Sequence, residues 1–279
     1  MNKKLIAMIC SLIFVLAGGM LLFGVTLSVN EYRLSGTIYS EQARAEASEA
    51  HQKLDEKLGT NLLFVSEKEI RSVFDEYPYL SVLSVEKDFP KRVEIRIEEK
   101  MEVYAIPYRT AESRGYCMVD RNGLILNLKG DNANRLDGKE NVPIEGIEIQ
   151  NPVVGQTVEE SSYTVEGRTQ EGAFGRLQEA LAILHDRFGG LRSCVRSISF
   201  RSPTGEEKDE TFVCAMSEGV TITLVGPGVK GTEKAEAAAA RYLSLNDTQK
   251  LFGKIFVCDD AEKEDGILCS YTAREDSDL

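Results

Sequence analysis

The longest apolar stretch of the chain lies near its first residue. It begins at Leu5 and ends at Val29, contains no charged residue, and has only Ser11, Thr26 and Ser28 as polar side chains. As a helix with a rise of about 1.5 Å per residue, it would be about 37 Å long, which exceeds the ~30 Å hydrocarbon core of a bilayer. The pattern therefore predicts a transmembrane helix over residues 5–29.

The basic residues beside this stretch predict its orientation. Lys3 and Lys4 precede it, and the next basic residue is Arg33. By the positive-inside rule, residues 1–4 form a cytoplasmic tail and the chain from residue 30 onwards lies outside the cell membrane. A cleaved signal peptide is the alternative, because Ala17-Gly18-Gly19 resembles a cleavage site. The apolar stretch continues past the usual length of such a peptide, which favours an uncleaved anchor.

Residues 30–100 predict a small domain with the element order β-α-α-β-β. Residues 32–39 form a strand-like pattern, and Ser40 can cap a helix over residues 41–58 that Gly59 would end.

A second helix follows in this domain. Ser66 and Glu69 have the spacing of a capping box ahead of it, and the helix carries Ile70, Val73 and Phe74 at helical spacing. A strand over 82–86 precedes a second strand, in which Val93, Ile95 and Ile97 alternate with charged residues. This alternation is typical of a half-buried strand.

Residues 101–272 predict a larger α+β domain with a mainly antiparallel sheet, followed by an acidic tail over 273–279. A hairpin turn is expected over residues 120–123 and an exposed polar loop over 129–141. Apolar residues at helical spacing predict a helix near 174–188, and a second helix is expected over 232–245. Further strands are predicted near 195–200, 211–216, 220–225, 254–258 and 267–272.

Charge excludes some classes of partner. The net charge is −12, and the part beyond residue 30 has 31 basic against 45 acidic residues, because Lys3 and Lys4 are the only charges before it. Nucleic-acid binding requires a basic surface, so no nucleic-acid partner is expected.

The cysteines indicate no metal or redox motif. No C-x-x-C pair is present, which excludes a zinc ribbon or a thioredoxin-like motif. Five cysteines lie beyond the predicted membrane segment, and we interpret them as small, buried apolar residues on strands. The alternative is a disulfide between Cys258 and Cys269, which a symmetric hairpin between them would place opposite each other.

Candidate catalytic chemistry is sparse. Residues 226–231 read G-P-G-V-K-G, the spacing of a phosphate-binding loop, but a tight strand-to-helix turn capped by Thr232 explains them better. His51 and His185 are expected at helix surfaces or boundaries, and the neighbouring acids at 98–99 and 259–260 on solvated faces. The sequence therefore predicts no enzyme, catalytic residue, metal, cofactor or small-molecule substrate.

Several motifs together resemble the FtsQ/DivIB family of bacterial cell-division proteins. Residues 58–106 are similar to the POTRA pattern of this family, with Glu99-Lys100 as its acidic-basic pair. Similar motifs follow in order: V-D-x-x-G at 119–123, V-P-x-x-G at 142–146, and a strand, turn and helix at 219–234. Two departures are Glu102, where the family has proline, and residues 256–260 in place of its terminal strand.

The resemblance implies a non-enzymatic, single-pass scaffold at the division septum, with a POTRA-like domain over 30–100 and an FtsQ/DivIB-type β domain over 101–272. Its implied partners are FtsB/DivIC-like and FtsL-like bitopic proteins. The implied binding site is an edge strand made of Ile267, Leu268, Cys269, Ser270 and Tyr271, which a partner strand would join. An ordinary closing strand is the alternative for these residues. The alternative function is a membrane-anchored POTRA chaperone or secretion adaptor that binds extended client peptides.

Overall fold

The computed structural model describes residues 13, 27–169, 172–202, 210–263 and 266–273. It divides the chain into two compact units, Met1–Lys100 and Met101–Leu279. The described helices are α1 (Glu41–Asp55), α2 (Glu67–Phe74), α3 (Ala173–Phe188), α4 (Gly231–Leu243) and α5 (Asp247–Leu251), with a 3-10 turn at Leu191–Ser193. The described strands are β1 (Glu31–Thr37), β2 (Leu80–Asp88), β3 (Arg92–Glu99), β4 (Tyr104–Arg109), β5 (Arg114–Val119), β6 (Ile125–Lys129), β7 (Val142–Glu145), β8 (Ile147–Gln150), β9 (Ser162–Val165), β10 (Arg168–Thr169), β11 (Val195–Arg201), β12 (Thr211–Met216), β13 (Thr221–Val225), β14 (Lys254–Asp259) and β15 (Ile267–Thr272).

The membrane segment predicted over residues 5–29 lies outside the described residues, apart from positions 13 and 27–29. Residues 27–29 are not helical, and Ser28 forms a β-bridge with Asn61, so the prediction of a helix is wrong for these three residues. Among the residues that are described, no helix is both long and apolar enough to cross a bilayer. The predicted acidic tail is described only at residue 273.

The first unit is a sheet covered on one face by α1 and α2. Its strand order is β1-β3-β2, with β1 parallel and β2 antiparallel to β3. Val93, Ile95 and Ile97 are 0–1% exposed, as their alternation predicts for the face that a helical layer covers. On α1, Ala43 and Ala50 are fully buried, and such small side chains allow close packing. The observed element order is the predicted β-α-α-β-β.

Two helix boundaries in this unit differ from the predictions. α1 ends at Asp55 rather than at residue 58, because residues 56–59 form a turn. Gly59, the last residue of this turn, has φ +87°. Ser66 is the N-cap residue of α2, but its side chain makes no capping hydrogen bond. The predicted capping box is therefore wrong.

The start of α1 is held by a buried carboxylate at the end of β3. Glu99 Oε2 accepts hydrogen bonds from the backbone N–H groups of Tyr39 (2.6 Å) and Ser40 (3.0 Å). Ser40 caps the helix as predicted, because its Oγ accepts a hydrogen bond from the N–H of Ala43. A negative charge is favourable at a helix N-terminus, where N–H groups lack partners within the helix. The prediction that residues 98–99 form a solvated face is thus wrong for Glu99.

The second unit is built on a long mixed sheet. Its described strands follow the order β10-β9-β8-β4-β7-β11-β12-β13-β14-β15, and β5 and β6 extend from β4. The prediction of a mainly antiparallel sheet holds for the hairpins, whereas β4 with β7 and β8, β7 with β11, and β13 with β14 pair in parallel. α3 and α4 pack against each other, and α4 contacts β13, β14 and β15.

The two faces of the last strands differ in chemistry. The pairing register places fully buried side chains on the face that the helices cover; they are Ile198, Phe212, Cys214, Ile222, Leu224, Ile255 and Val257. The opposite side carries partly exposed small or polar residues on the inner strands, such as Ser199, Val213 and Thr223. We call this second side the open face.

The polar loop predicted over residues 129–141 is tied to the core, so the expectation of an exposed loop is only partly right. Asn134 and Asn141 are buried, and their side chains hydrogen-bond each other at 2.8 Å. Glu102 is also buried, and its Oε2 accepts hydrogen bonds from Asn141 Nδ2 (3.3 Å) and Lys129 Nζ (3.1 Å). Glu102 therefore connects the start of the second unit to this loop.

The glycine-rich stretch over 226–231 forms a tight turn between β13 and α4. The N–H of Val229 donates to the carbonyl of Gly226 at 3.1 Å, and Gly226 and Lys230 have φ of +60° and +50°. Lys230 is the N-cap residue, whereas Thr232 donates its hydroxyl to Glu233 instead of capping the helix. The predicted cap by Thr232 is wrong.

Candidate functional site

The last strand of the second unit lies at the edge of the sheet. β15 pairs antiparallel with β14, and within the described residues no other strand pairs with it. An edge strand presents main-chain groups to which another strand can bind. The structure thus places the predicted site residues, from Ile267 to Tyr271, where a partner strand could reach them.

The hydrogen-bonding pattern of the hairpin shows which backbone groups point outwards. The N–H of Asp260 donates to the carbonyl of Gly266, which fixes the alternation along β14 and β15. In an antiparallel pair, every second residue exchanges hydrogen bonds with the neighbouring strand. Leu268 and Ser270 are therefore bonded to β14, whereas Cys269 and Tyr271 direct their N–H and C=O groups towards the open edge.

Three residues of β15 anchor the strand to the helical layer. Ile267 is buried, and Cys269 and Tyr271 are partly buried against the same core. The Tyr271 hydroxyl donates towards the carbonyls of Gln249 and Phe252, at 3.1 and 3.0 Å, and Arg241 lies 5.7 Å from the centre of its ring. These contacts hold the edge in one position on its covered side.

The other side of β15 belongs to the open face. Leu268 and Ser270 are partly exposed there, opposite Cys258 and Phe256 of β14. Phe256 is 41% exposed, which is high for a large apolar side chain in a sheet. A strand added to β15 would bring every second side chain against this surface. The sequence analysis did not identify Phe256 or Cys258 as site residues.

A buried lysine holds the loop end of the β14–β15 hairpin. Lys234, on α4, is 0% exposed and directs its ammonium group at three acceptors. These are the carbonyls of Val225 and Gly226, both at 2.8 Å, and Asp259 Oδ2 at 2.9 Å. An ammonium group has three donors, so each has an acceptor here. Lys234 thus joins the end of β13 to the end of β14, next to the loop that leads into β15.

The hairpin register does not support a disulfide between Cys258 and Cys269. Cys258 lies opposite Leu268, and Cys269 lies opposite Val257, one residue away from the predicted symmetric pairing. Because a shift of one residue moves a side chain to the other face, the two thiols point to opposite sides of the sheet. All five described cysteines are free. The prediction of buried cysteines on strands is confirmed for Cys117 and Cys214. Cys194, Cys258 and Cys269 are only partly buried, and Cys194 follows the 3-10 turn instead of lying on a strand.

Thiol reactivity provides a direct test of this arrangement. Burial raises the pKa of Cys117 to about 12 and also raises that of Cys214. Because the thiolate is the reactive form, alkylation of the folded chain at mildly alkaline pH is expected to modify Cys258 well before Cys117 or Cys214. Mass spectrometry of the alkylated peptides measures this order. Unfolded chain is the control, in which the three thiols should react alike. A peptide in which Cys258 is linked to Cys269 would contradict the observed register.

The other candidate residues do not assemble a catalytic or metal site. His51 hydrogen-bonds the carbonyl of Tyr32, and His185 on α3 is half-buried with Arg121 nearby, which together with burial lowers its pKa. Within the described ranges, no group of three or more His, Cys, Asp or Glu side chains could hold a metal ion.

Comparison with known families identifies the first unit. Residues 40–100 match the family model for the POTRA domain of FtsQ type. The match begins at the N-cap of α1 and ends just after β3, and β1, which precedes it, completes the sheet. No curated protein matches the chain. The chain contains an FtsQ-type POTRA domain, which supports the assignment to the FtsQ/DivIB family made from the sequence motifs.

Proposed function

We propose that this chain is a non-enzymatic, single-pass membrane scaffold of the bacterial division machinery. It binds FtsB/DivIC-like and FtsL-like proteins outside the membrane, at the septum, through β15. The FtsQ-type POTRA domain supports a division-protein family. The uncharged stretch over residues 5–29 supports a membrane anchor.

The observation that carries the proposed binding site is the edge position of β15. Cys269 and Tyr271 present outward main-chain groups to a partner strand, and these would supply the hydrogen bonds of β-augmentation. Leu268 of the open face and the neighbouring Phe256 would contact alternate side chains of that partner and so provide specificity. A contact of this kind requires no cofactor or catalytic group.

The edge is also rigidly supported before any partner binds. Lys234 holds the loop end of the β14–β15 hairpin, through Asp259. The Tyr271 hydroxyl ties the other end of β15 to the carbonyls of Gln249 and Phe252. Binding to a preformed strand avoids the entropic cost of ordering it. The partner strand would then be the main element that becomes ordered.

A proline in β15 tests this proposal. Cys269→Pro in the full chain removes one outward N–H group without removing a hydrogen bond to β14, and proline is tolerated at such edge positions. A partner carbonyl left without a donor costs about 1–3 kcal/mol, so we expect binding weaker by about five- to 150-fold. The measurement is the affinity of the purified full chain for FtsB/DivIC-like protein, together with co-purification from membranes.

Cys269→Ala is the matched control, because it removes the same thiol but keeps the N–H group. It is expected to bind the partner as the unaltered chain does. Circular dichroism and thermal unfolding establish that both variants are folded. Equal affinities of the folded Pro and Ala variants would overturn β15 as the binding edge.

A further inference from the structure

One end of the FtsQ-type POTRA unit exposes several large apolar side chains. Leu58, Leu63 and Phe64 lie on residues 57–64, and Phe89 lies on residues 88–92, with exposures of 43%, 47%, 79% and 57%. We call these two segments the loop pair. Single exposed apolar residues are common on protein surfaces, but a group of them at one place indicates an interaction surface.

The first segment is fixed directly to residues 27–29, the last three residues of the apolar stretch. The N–H of Val29 donates to the carbonyl of Thr60 at 2.8 Å, and the N–H of Leu62 donates to the carbonyl of Leu27 at 2.7 Å. Between these two bonds, Ser28 forms a β-bridge with Asn61. Residues 59–62 therefore lie beside the end of the apolar stretch.

The local conformation directs two apolar side chains outwards at this point. Leu62 is fully buried, whereas the next two residues form a turn around Asn61. The Asn61 side chain accepts a hydrogen bond from the N–H of Leu63 at 3.0 Å, and its carbonyl accepts one from the N–H of Phe64 at 2.9 Å. The exposure of Leu63 and Phe64 is thus a property of the folded turn.

The second segment lies at the same end of the unit. The N–H of Asn30 donates to the carbonyl of Lys91 at 2.8 Å, and Glu31 pairs with Arg92 at the start of the parallel β1 and β3. Phe89 follows β2, which ends beside this point because β2 runs antiparallel to β3. Both segments of the loop pair therefore surround the first residues of β1.

We infer that the loop pair docks on the outer surface of the bilayer, with Leu63 and Phe64 in the boundary between headgroups and acyl chains. This inference rests on the proposed anchor over residues 5–29. Leu27 is the third residue from the end of that stretch and is hydrogen-bonded to Leu62, so the loop pair reaches the lipid surface wherever the anchor leaves it. Apolar side chains that reach this boundary bind it through their buried area.

Docking of this kind would fix the orientation of the POTRA unit on the membrane. β1 has seven residues and extends about 23 Å away from the loop pair, at about 3.3 Å per residue. Tyr39, which follows β1, is 60% exposed and lies towards the other end of the unit. The end of the unit that carries Tyr39 would then face away from the lipid.

The absence of tryptophan from the sequence makes the inference testable with single reporters. The chain has no Trp, so Phe64→Trp introduces a single tryptophan, which can be excited selectively, into the full-length protein. The variant is reconstituted into phosphatidylcholine vesicles with and without bromine on the acyl chains. A neutral lipid is chosen because the region beyond residue 30 is strongly acidic. We expect several-fold stronger quenching by brominated lipid for Phe64→Trp than for the matched variant Tyr39→Trp, and the reverse order for quenching by aqueous acrylamide.

Carbonate extraction of the same vesicles tests the anchor over residues 5–29 separately from the docking of the loop pair. If the chain stays in the membrane but the reporter at position 64 is quenched only from water, the loop pair does not dock on lipid, and the anchor remains supported. That result overturns the inference. It is the result expected if the loop pair binds a protein partner instead of lipid. If carbonate releases the chain, the proposed anchor itself is wrong.

Discussion

Lys234→Met is expected to lower the free energy of unfolding of the second unit by about 2–4 kcal/mol, since hydrogen bonds to a charged group contribute about 1.5–3 kcal/mol each and are not additive. The substitution keeps an unbranched apolar side chain of nearly the same length but removes the ammonium group and its three donors. The carbonyls of Val225 and Gly226 would lose their lysine donor, whereas Asp259 is 52% exposed and can be hydrated. The β14–β15 hairpin should loosen first, because Lys234 joins its loop end to the end of β13.

Two matched variants identify the cause of this loss. Lys254→Met removes an exposed lysine from the same strand as Asp259, and is expected to change stability by no more than about 0.5 kcal/mol. Asp259→Asn should cost less than Lys234→Met, because the two carbonyls keep their donor. Hydrogen exchange of the β13–β15 amides follows the second unit separately from the first. Unchanged exchange in Lys234→Met would show that the buried ammonium group does not hold the hairpin.

Local patterns were sufficient to predict most of the regular elements. The bounds of β12 and β15 are those predicted, and β3 buries the three alternating residues that defined it. In these segments the periodicity of side-chain burial follows from the backbone period alone. The short strands β7, β8 and β9 were not predicted, because four residues carry little periodicity; in addition, β7 and β8 pair with strands distant in sequence. The motif V-P-x-x-G, at 142–146, marks the first of them.

The details of the candidate site depended on tertiary structure. The edge strand was inferred from the family resemblance, but the register of its hairpin was not, since a loop between two strands can be asymmetric by one residue. That single residue places Cys258 on the open face and Cys269 against the helices. Lys234 illustrates a second limit. A lysine is usually exposed, and only three acceptors from two distant segments make its burial favourable here.

Glu102 is a second charged residue whose burial depends on contacts with a distant segment, and it lies at a position that departs from the family pattern. The proline expected there could not make the contacts that this carboxylate makes with the loop over 130–141. Glu102 Oε2 also accepts a hydrogen bond from the N–H of Arg135 at 3.4 Å, and Asn134 donates its side-chain amide to the Glu102 carbonyl at 3.2 Å. The departure is therefore accompanied by a polar network that fixes the loop against β4 and β5.

Glu102→Ala is expected to lower the free energy of unfolding of the second unit by about 2–4 kcal/mol, because it leaves buried donors without their charged acceptor. Lys129 keeps its hydrogen bond to the carbonyl of Ala133, and Asn141 keeps its contact with Met118, so the loss should fall short of global unfolding. Chemical denaturation measures the stability, and the amides of the loop should exchange faster. Glu140→Ala, which removes an exposed carboxylate from the same loop, is the control and should be nearly neutral. If both variants are equally stable, the buried carboxylate of Glu102 contributes no more than the exposed one of Glu140, and the loop must be held by the asparagine pair alone.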